Sequence, residues 1–496
     1  MSRVSILTLL VSGLAAALLQ SQHRGEVQTT LPRLDAFEAP PAVREPVAIG
    51  SEKQLFVDRT LISTTDNILL TLTPPERHPA NPVIRPETRS DGQYLSPNGV
   101  WWNPDRKLFQ LWYSALHFEN KEEHFPAYAE SADGIRWERP RLGVREFAGT
   151  KDNNLTEGPA GEVILDPRDP NPDRRYKRVT TQKGPDVAIW FSPDGIRWRA
   201  SARNPVLSPT GDTHTLLGWD ERHRRYIGYF RPAGRPRRIG ISFSSDAEDW
   251  SPVVPVLAPD DHDPIGTEFY VIRVLRYESI YLGIFAVLHL DRRMLDFRQP
   301  DAAGTEQTVD LQLAVSRDGV QWLRAGNRAP WFGLAPYQSW DDMQLWPSTP
   351  IVVGDEIRFY YSGVSVRHQF PDLDYSGMKL DGRWRGGAIG LATLRRDGWV
   401  TVRPNIEGKG VLTTRLLTFA GRELEVNADA RGGRIQVELL DAAGAPIAGV
   451  QPAVLTGDSV RHRAGFGRSV FDFAGMPARL RFTLERSKLY AFQFVP

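Results

Sequence analysis

The chain has 496 residues, a length that accommodates roughly two to four domains with a core large enough to need no covalent staples. It contains no cysteine, which excludes disulfide frameworks, zinc–thiolate and iron–sulfur sites and a cysteine nucleophile. Basic and acidic residues number 61 and 60, so net charge gives no reason to expect a nucleic-acid or anionic-membrane partner.

In chain order, Arg3 is followed by an apolar run from Val4 to Leu19 and then by the polar Gln20, Ser21 and Gln22. A short basic start and an apolar stretch below spanning length predict a secretory signal over 1–22, with an uncleaved anchor as the alternative. No other apolar run reaches membrane length, so the expected location is secreted or periplasmic, with no membrane contact after cleavage. Residues 23–50 are aperiodic and read as a linker.

A motif then recurs: SADGIRW (Ser131 to Trp137), SPDGIRW (Ser192 to Trp198), SSDAEDW (Ser244 to Trp250), SRDGVQW (Ser316 to Trp322) and a shortened RRDGW (Arg395 to Trp399). Each copy follows a short apolar strand, and the Asp-Gly pair is a hairpin signal. Asp133, Asp194, Asp246, Asp318 and Asp397 are therefore expected to accept hydrogen bonds from turn amides rather than to act as acids, because one site does not need several copies of its acid. A second hairpin with a charged turn precedes each motif. Five such paired hairpins predict an all-β chain with a five-bladed β-propeller over 51–404, and Gln54 to Ile62 is placed to close the ring by pairing with the last blade. Beyond about Asn405, alternating strands without the motif predict a small β-sandwich domain over 405–496.

In a blade, the entry to the innermost strand and the exit from the second strand open on the same face. The entries carry Asp91, Asn153, Asn154, Glu157, Asp212, Glu268, Asp341 and Asp342; the exits carry His117, Arg231, His289 and His368. A ring of carboxylates backed by histidine, arginine and aromatics suits glycosidic chemistry, in which one carboxyl protonates the leaving oxygen and another acts as base or nucleophile. Asp91, Asp212, Glu268 and Asp342 are the catalytic candidates, with Glu268 as acid and Asp91 as base or nucleophile. His117, His214, Arg231, His289 and His368 are the substrate-binding candidates. The expected partner is a carbohydrate and the expected state a monomer. No metal ligand is assigned and no cofactor is expected. The rim is also a donor set for a structural divalent cation such as calcium, although no loop has EF-hand spacing. Arg231, Arg235, Arg237 and Arg238 are either a solvated loop or a phosphate pocket for phosphorolysis.

The run LSPNGVWWNPDRKLFQLWYSA followed by SADGIRW resembles the first blade of the five-bladed glycoside hydrolases of families 32 and 43, and the resemblance extends over about Gln54 to Pro404. The C-terminal part is similar to the β-sandwich appended to many such enzymes. The resemblance implies an exported glycosidase with two aspartates and a glutamate at the funnel base. Ser96 stands where family 32 carries an aspartate just before Pro-Asn-Gly, which moves the expected carboxylates to other blades. A carbohydrate-binding propeller without catalysis is the alternative.

Overall fold

The computed structural model describes residues 42–117, 123–181, 186–290, 306–368, 379–380, 383–384 and 386–496. The expected signal over 1–22 and most of the expected linker lie outside them. Among the described residues every regular element is a strand or a short 3-10 turn, and no helix is long and apolar enough to cross a membrane.

Five antiparallel groups follow one another. Their innermost strands are Tyr94–Asn103, Glu162–Leu165, His214–Asp220, Thr267–Tyr277 and Gln344–Pro347. The first four pair with the strand after them, for example Ser96 with Ser114 and His214 with Phe230, and the fifth pairs with Glu356–Val364. The architecture is all-β and propeller-like, and the motif turns explain how the groups hold together.

Within each turn the chemistry is local. In the first, Asp133 Oδ1 accepts from the amides of Ile135 and Arg136, each at 2.8 Å, and from the Ser131 hydroxyl. Asp194, Asp246 and Asp318 repeat the pattern. These aspartates form turns, as their repetition predicts. The indole of Trp198 donates to the Gly195 carbonyl at 2.9 Å, and those of Trp250 and Trp322 donate likewise within their own turns.

Between groups, a side chain from one group binds the turn of the next. Trp112 Nε1 donates to the Gly195 carbonyl at 2.7 Å, Arg174 to the Asp246 carbonyl at 2.7 Å, and the Tyr229 hydroxyl to the Gly319 carbonyl at 2.8 Å. The Tyr277 hydroxyl donates to the Asp397 carboxylate at 2.7 Å, and the Tyr360 hydroxyl to the Gly134 carbonyl at 2.7 Å. The series thus runs from group to group and returns from the fifth to the first. At that junction Gly387 is bridged to Tyr94, and a Cβ at 387 would lie 1.7 Å from the Tyr94 ring, so the close approach requires glycine.

The expected closure of the ring is corrected. Gln54–Leu55 pairs not with the last group but with Lys488–Val495. The segment that adds to the last group lies later: Glu76–Arg77 pairs with Ala392 and Thr393, and Ile84 bridges Ile389. The strand after the last Asp-Gly turn, Val400–Pro404, leaves the ring and pairs with Ile68–Leu72. Those early strands join the C-terminal ones in a nine-stranded sheet. Its longest strand, Glu423–Leu440, pairs first with Lys488–Val495 and then, beyond the break at Arg431 to Gly433, with Arg479–Glu485.

The C-terminal module packs directly against the ring. Leu412, Val426, Phe482 and Phe492 belong to one continuous core with Tyr277, Leu313, Phe359 and Trp399 of the fourth and fifth groups. The apolar face of the C-terminal sheet is covered partly by the ring itself, because Trp399 and Val400 carry the ring's last strand directly into it.

Asp397 sits at that junction, fully buried. It accepts from Lys53 Nζ at 3.0 Å, Tyr277 at 2.7 Å and Asn427 Nδ2 at 2.8 Å, which belong to three different parts of the chain. Removing one partner of a buried pair leaves an uncompensated charge. Asp397→Ala is therefore expected to lower unfolding free energy by about 3–5 kcal/mol, read from urea unfolding at neutral pH. A loss within about 0.5 kcal/mol, the usual range for an unremarkable surface change, would show that the junction is not held here.

Candidate functional site

The innermost strands converge on a cavity of about 580 Å³. The first contributes Tyr94, Ser96 and Asn98, the second Glu162, the third His214, the fourth Tyr270, Val271 and Arg273, and the fifth Trp346 and Pro347. One wall is aromatic: Tyr270 packs edge-on against Trp346 with centroids 4.9 Å apart, and the His368 ring lies 5.1 Å from Tyr270 and 5.5 Å from Trp346. Another wall is polar, with Asn98 donating to the Ser114 hydroxyl at 2.8 Å and with Thr180 and Thr181 alongside. Mixed aromatic and hydroxyl- or amide-bearing walls are those of a small-molecule site.

Glu162 and Arg273 are the charged centre. Arg273 Nη1 lies 2.9 Å from Glu162 Oε2, and the same oxygen accepts from the Leu216 amide at 2.8 Å. Both contacts fall on Oε2, so Oε1 is the oxygen available to the cavity. Burial pushes the Glu162 carboxyl up to about 7 against the opposing pull of Arg273 and the Leu216 amide. The group therefore holds a proton near neutrality, and the proton belongs on Oε1.

His214 is buried in the same cavity with Nε2 3.0 Å from the Thr181 hydroxyl, while Nδ1 has no hydrogen-bond partner. Burial, with Arg231 adding to it, drives its pKa down to about 3, so the ring is neutral at working pH. Asp212 also lines the cavity. Its carboxylate is 58% exposed and is paired with Arg231, whose guanidinium stacks 4.8 Å from the Tyr270 ring centroid.

Of the four carboxylates expected to converge, Asp212 lines the cavity and the other three do not. Asp91 is fully buried and accepts from the amides of Glu87 and Thr88 and the hydroxyls of Thr88 and Tyr113. It folds the loop before the first strand rather than facing the axis. Glu268 is held by both Arg235, at 2.7 Å, and Arg237. Both of its oxygens are engaged by guanidiniums and it does not line this cavity, unlike the acid expected there. The same pairs occupy Arg235 and Arg237, two of the four arginines expected for phosphorolysis. Asp342 is buried and accepts from the Gln338 amide at 2.7 Å.

Among the expected binding residues, His214 and His368 line the cavity. His117 packs against Phe125 and Phe147, Arg231 is behind Asp212, and His289 pairs with Asp310 at 2.7 Å. Among the described residues no three His, Asp or Glu side chains are gathered as a metal ligand set.

Sequence reasoning missed Glu162 and Arg273. The first is the opening residue of the second innermost strand, but the long loop before it drew attention to Asn153, Asn154 and Glu157. Alignment of the five strand starts themselves, rather than of the loops, carries the signal. Arg178 explains why that loop lies where it does. It is buried and donates to the carbonyls of Glu157 and Pro159 and to Thr156, which fixes the turn that leads into Glu162.

No family model matches the chain, and no curated protein matches it in sequence. Solved structures do align with it. One comes from the GH130 family of mannoside phosphorylases, described as containing glycoside hydrolases that target β-1,2 mannosidic linkages in Candida mannan. It has 14% identity and a TM-score of 0.45, covering 66% of this chain and 94% of that one. An N-acetylgalactosamine deacetylase from F. plautii in complex with blood group B trisaccharide aligns at 17% identity and TM-score 0.42, covering 66% and 95%. A fructofuranosidase from Schwanniomyces occidentalis complexed with fructose aligns at 11% identity and TM-score 0.39, covering 85% and 97%. At TM-scores below 0.5 these likenesses carry no weight for the site, which is read from its own residues.

The raised Glu162 pKa has a signed consequence for stability. Between its ordinary value of 4.5 and about 7, an unfolded chain ionises this carboxyl while the folded one keeps it protonated. The folded state is thus penalised progressively as pH rises through that window. Glu162→Gln is expected to flatten this part of the stability profile, measured by urea midpoints from pH 4.5 to 8. Superimposable pH slopes for the two proteins would show that Glu162 ionises normally.

Proposed function

We propose that the chain is a carbohydrate-active enzyme, a glycoside hydrolase whose substrate enters the cavity at the centre of the ring. The observation that carries this reading is Glu162: a buried carboxyl in the cavity wall with one oxygen engaged and the other, protonated, open to a ligand. That is the requirement for protonating a glycosidic oxygen as the bond to the anomeric carbon breaks. Arg273 fixes the orientation of the carboxyl. Once the proton has left, the guanidinium and the Leu216 amide stabilise the carboxylate, so the group is able to give up its proton and recover it.

Asp212 is the second carboxylate of the pair. Its pairing with Arg231 limits its rotation, as a base that activates water or a nucleophile requires. Tyr270 and Trp346 offer ring faces to the apolar side of a sugar, while Ser96, Asn98 and Ser114 offer hydrogen bonds to its hydroxyls. His214, neutral throughout the working range, exchanges hydrogen bonds without adding charge. The chemical class is hydrolysis of an O-glycosidic bond in a poly- or oligosaccharide by an exported protein.

A second reading, a ring that binds carbohydrate without cleaving it, is favoured by Ser96. It lines the cavity at the place where the resembling family 32 enzymes carry an aspartate.

The test uses a panel of aryl glycosides and plant, algal and microbial glycans. Glu162→Gln is expected to lower kcat on a glycan that wild type cleaves by about a hundredfold or more. The loss on an aryl glycoside with a strongly acidic phenol is expected to be much smaller, since that leaving group needs no proton. Wild-type kcat should also fall as pH rises through about 7, where the acid loses its proton. Equal losses on both substrates would remove Glu162 as the acid. Glycan binding without turnover in either protein would establish the second reading.

A further inference from the structure

We infer that a cleft on the C-terminal sheet is a second binding site, and that its ligand is an acidic polysaccharide. The inference rests on the carbohydrate reading for the class of polymer, and on the cleft alone for the sign of its charge.

The cleft has a volume of about 470 Å³ and lies between the loop after Val400–Pro404, the break in Glu423–Leu440 and the turn before Lys488–Val495. Four cations line it, Arg403, Arg431, Arg486 and Lys488, against two carboxylates, Glu407 and Asp429. Arg431 is committed to Asp429 at 2.7 Å, and that pairing holds the Asp429 carboxyl down at about 2, with Lys488 adding to the effect from farther away. The Arg403 guanidinium donates to the Pro404 carbonyl at 3.2 Å. Among the described residues, none of Arg403, Arg486 and Lys488 has a carboxylate within ion-pair distance. Glu407 alone among the lining carboxylates is left to oppose these three, so the concave surface carries an excess of positive charge.

The floor of the cleft is built before any ligand arrives. Asn67, in the left-handed region at φ 48°, donates its side-chain amide to the carbonyls of Ile406 (3.3 Å) and Lys409 (3.0 Å). Its side-chain oxygen accepts from the Ile406 amide at 3.1 Å, and its carbonyl from the Asn405 amide at 3.0 Å. Four hydrogen bonds from one residue hold the loop 405–408 in place and keep Ile406 turned outward, 69% exposed. Gly432 lines the cleft, and a Cβ there would lie 3.0 Å from the Arg486 carbonyl, so the two backbones meet closely.

Among the described residues no aromatic ring lines the cleft. It therefore lacks the stacking platform on which neutral sugars or unpaired bases are held. Charge-assisted hydrogen bonds to carboxylate or sulfate groups are what it offers, and arginine is suited to both. Such a site keeps an acidic polymer near the central cavity without taking part in bond cleavage.

The experiment is affinity electrophoresis of the full chain through gels containing polygalacturonate, dextran sulfate or neutral dextran, with a single-stranded oligonucleotide as competitor. Wild type is expected to be retarded by one or both acidic polymers and not by dextran. Which acidic polymer retards it separates carboxylate from sulfate recognition. The exposed double substitution R486Q/K488Q is expected to weaken retardation about tenfold or more while leaving turnover of small aryl glycosides unchanged. The inference is overturned if the double variant is retarded like wild type, if dextran retards equally, or if the oligonucleotide displaces the polymer at equal charge concentration. Glu162→Gln separates the two readings: retained retardation with lost turnover supports both, and retained retardation with unchanged turnover overturns the central site alone.

Discussion

The guanidinium of Arg273 is the contact on which the site depends. It lies on the fourth innermost strand, reaches Glu162 on the second, and donates to the His214 carbonyl and Thr215 hydroxyl on the third and to the Pro347 carbonyl on the fifth. Four strands that would otherwise leave polar groups at the centre of a ring are thus joined by one planar donor set. Lysine has a single nitrogen and is unable to span the same acceptors. The Arg273 guanidinium is satisfied by acceptors on three neighbouring strands, and the cost of burying Glu162 appears as its elevated pKa. Structure and chemistry are here the same interaction.

Around that centre the ring is held by weak contacts repeated rather than by one strong one. The first four motif turns are closed by their own aspartates, and each of the five is bound by a side chain from the group before it. A neutral hydrogen bond of this type contributes about 1 kcal/mol net, so no single one decides the fold. Their direction does: because each group binds the next, and the fifth binds the first through Tyr360 and Gly134, no group is left without a neighbour. The closing segment, Glu76–Arg77 to Ile84, continues from strands already committed to the C-terminal sheet. The two parts of the molecule therefore share chain as well as core, and Asp397 joins them at the point where the last strand leaves the ring.

The site also shows how arginine divides otherwise similar carboxylates into different roles. Glu268 is held by two guanidiniums. Asp212 is held by one, with solvent on its other side. Glu162, with one guanidinium and nearly complete burial, keeps its proton. The Arg-rich composition is thus put to use as bidentate and paired contacts, and the cations left unpaired by carboxylates on the C-terminal sheet stand out against that background.

What the sequence by itself determined was local or periodic. The Ser-x-Asp-Gly turns were legible because their hydrogen bonds close within three residues, and the strands were legible because apolar residues recur between those turns. The rim of strand entries followed from the same period, which is how Asp212, His214 and His368 were placed near the cavity. The roles of Asp91, Glu268 and Glu162 were decided only by tertiary structure. Each is an acidic residue near a strand start, alike in sequence, and each is set apart by partners distant in the chain: backbone amides and a tyrosine, two arginines, or one arginine and a dry wall. The path of the chain ends was likewise hidden, since Gln54–Leu55 and Glu76–Arg77 are both short strands and the choice of edge depends on which one lies open once the ring has closed.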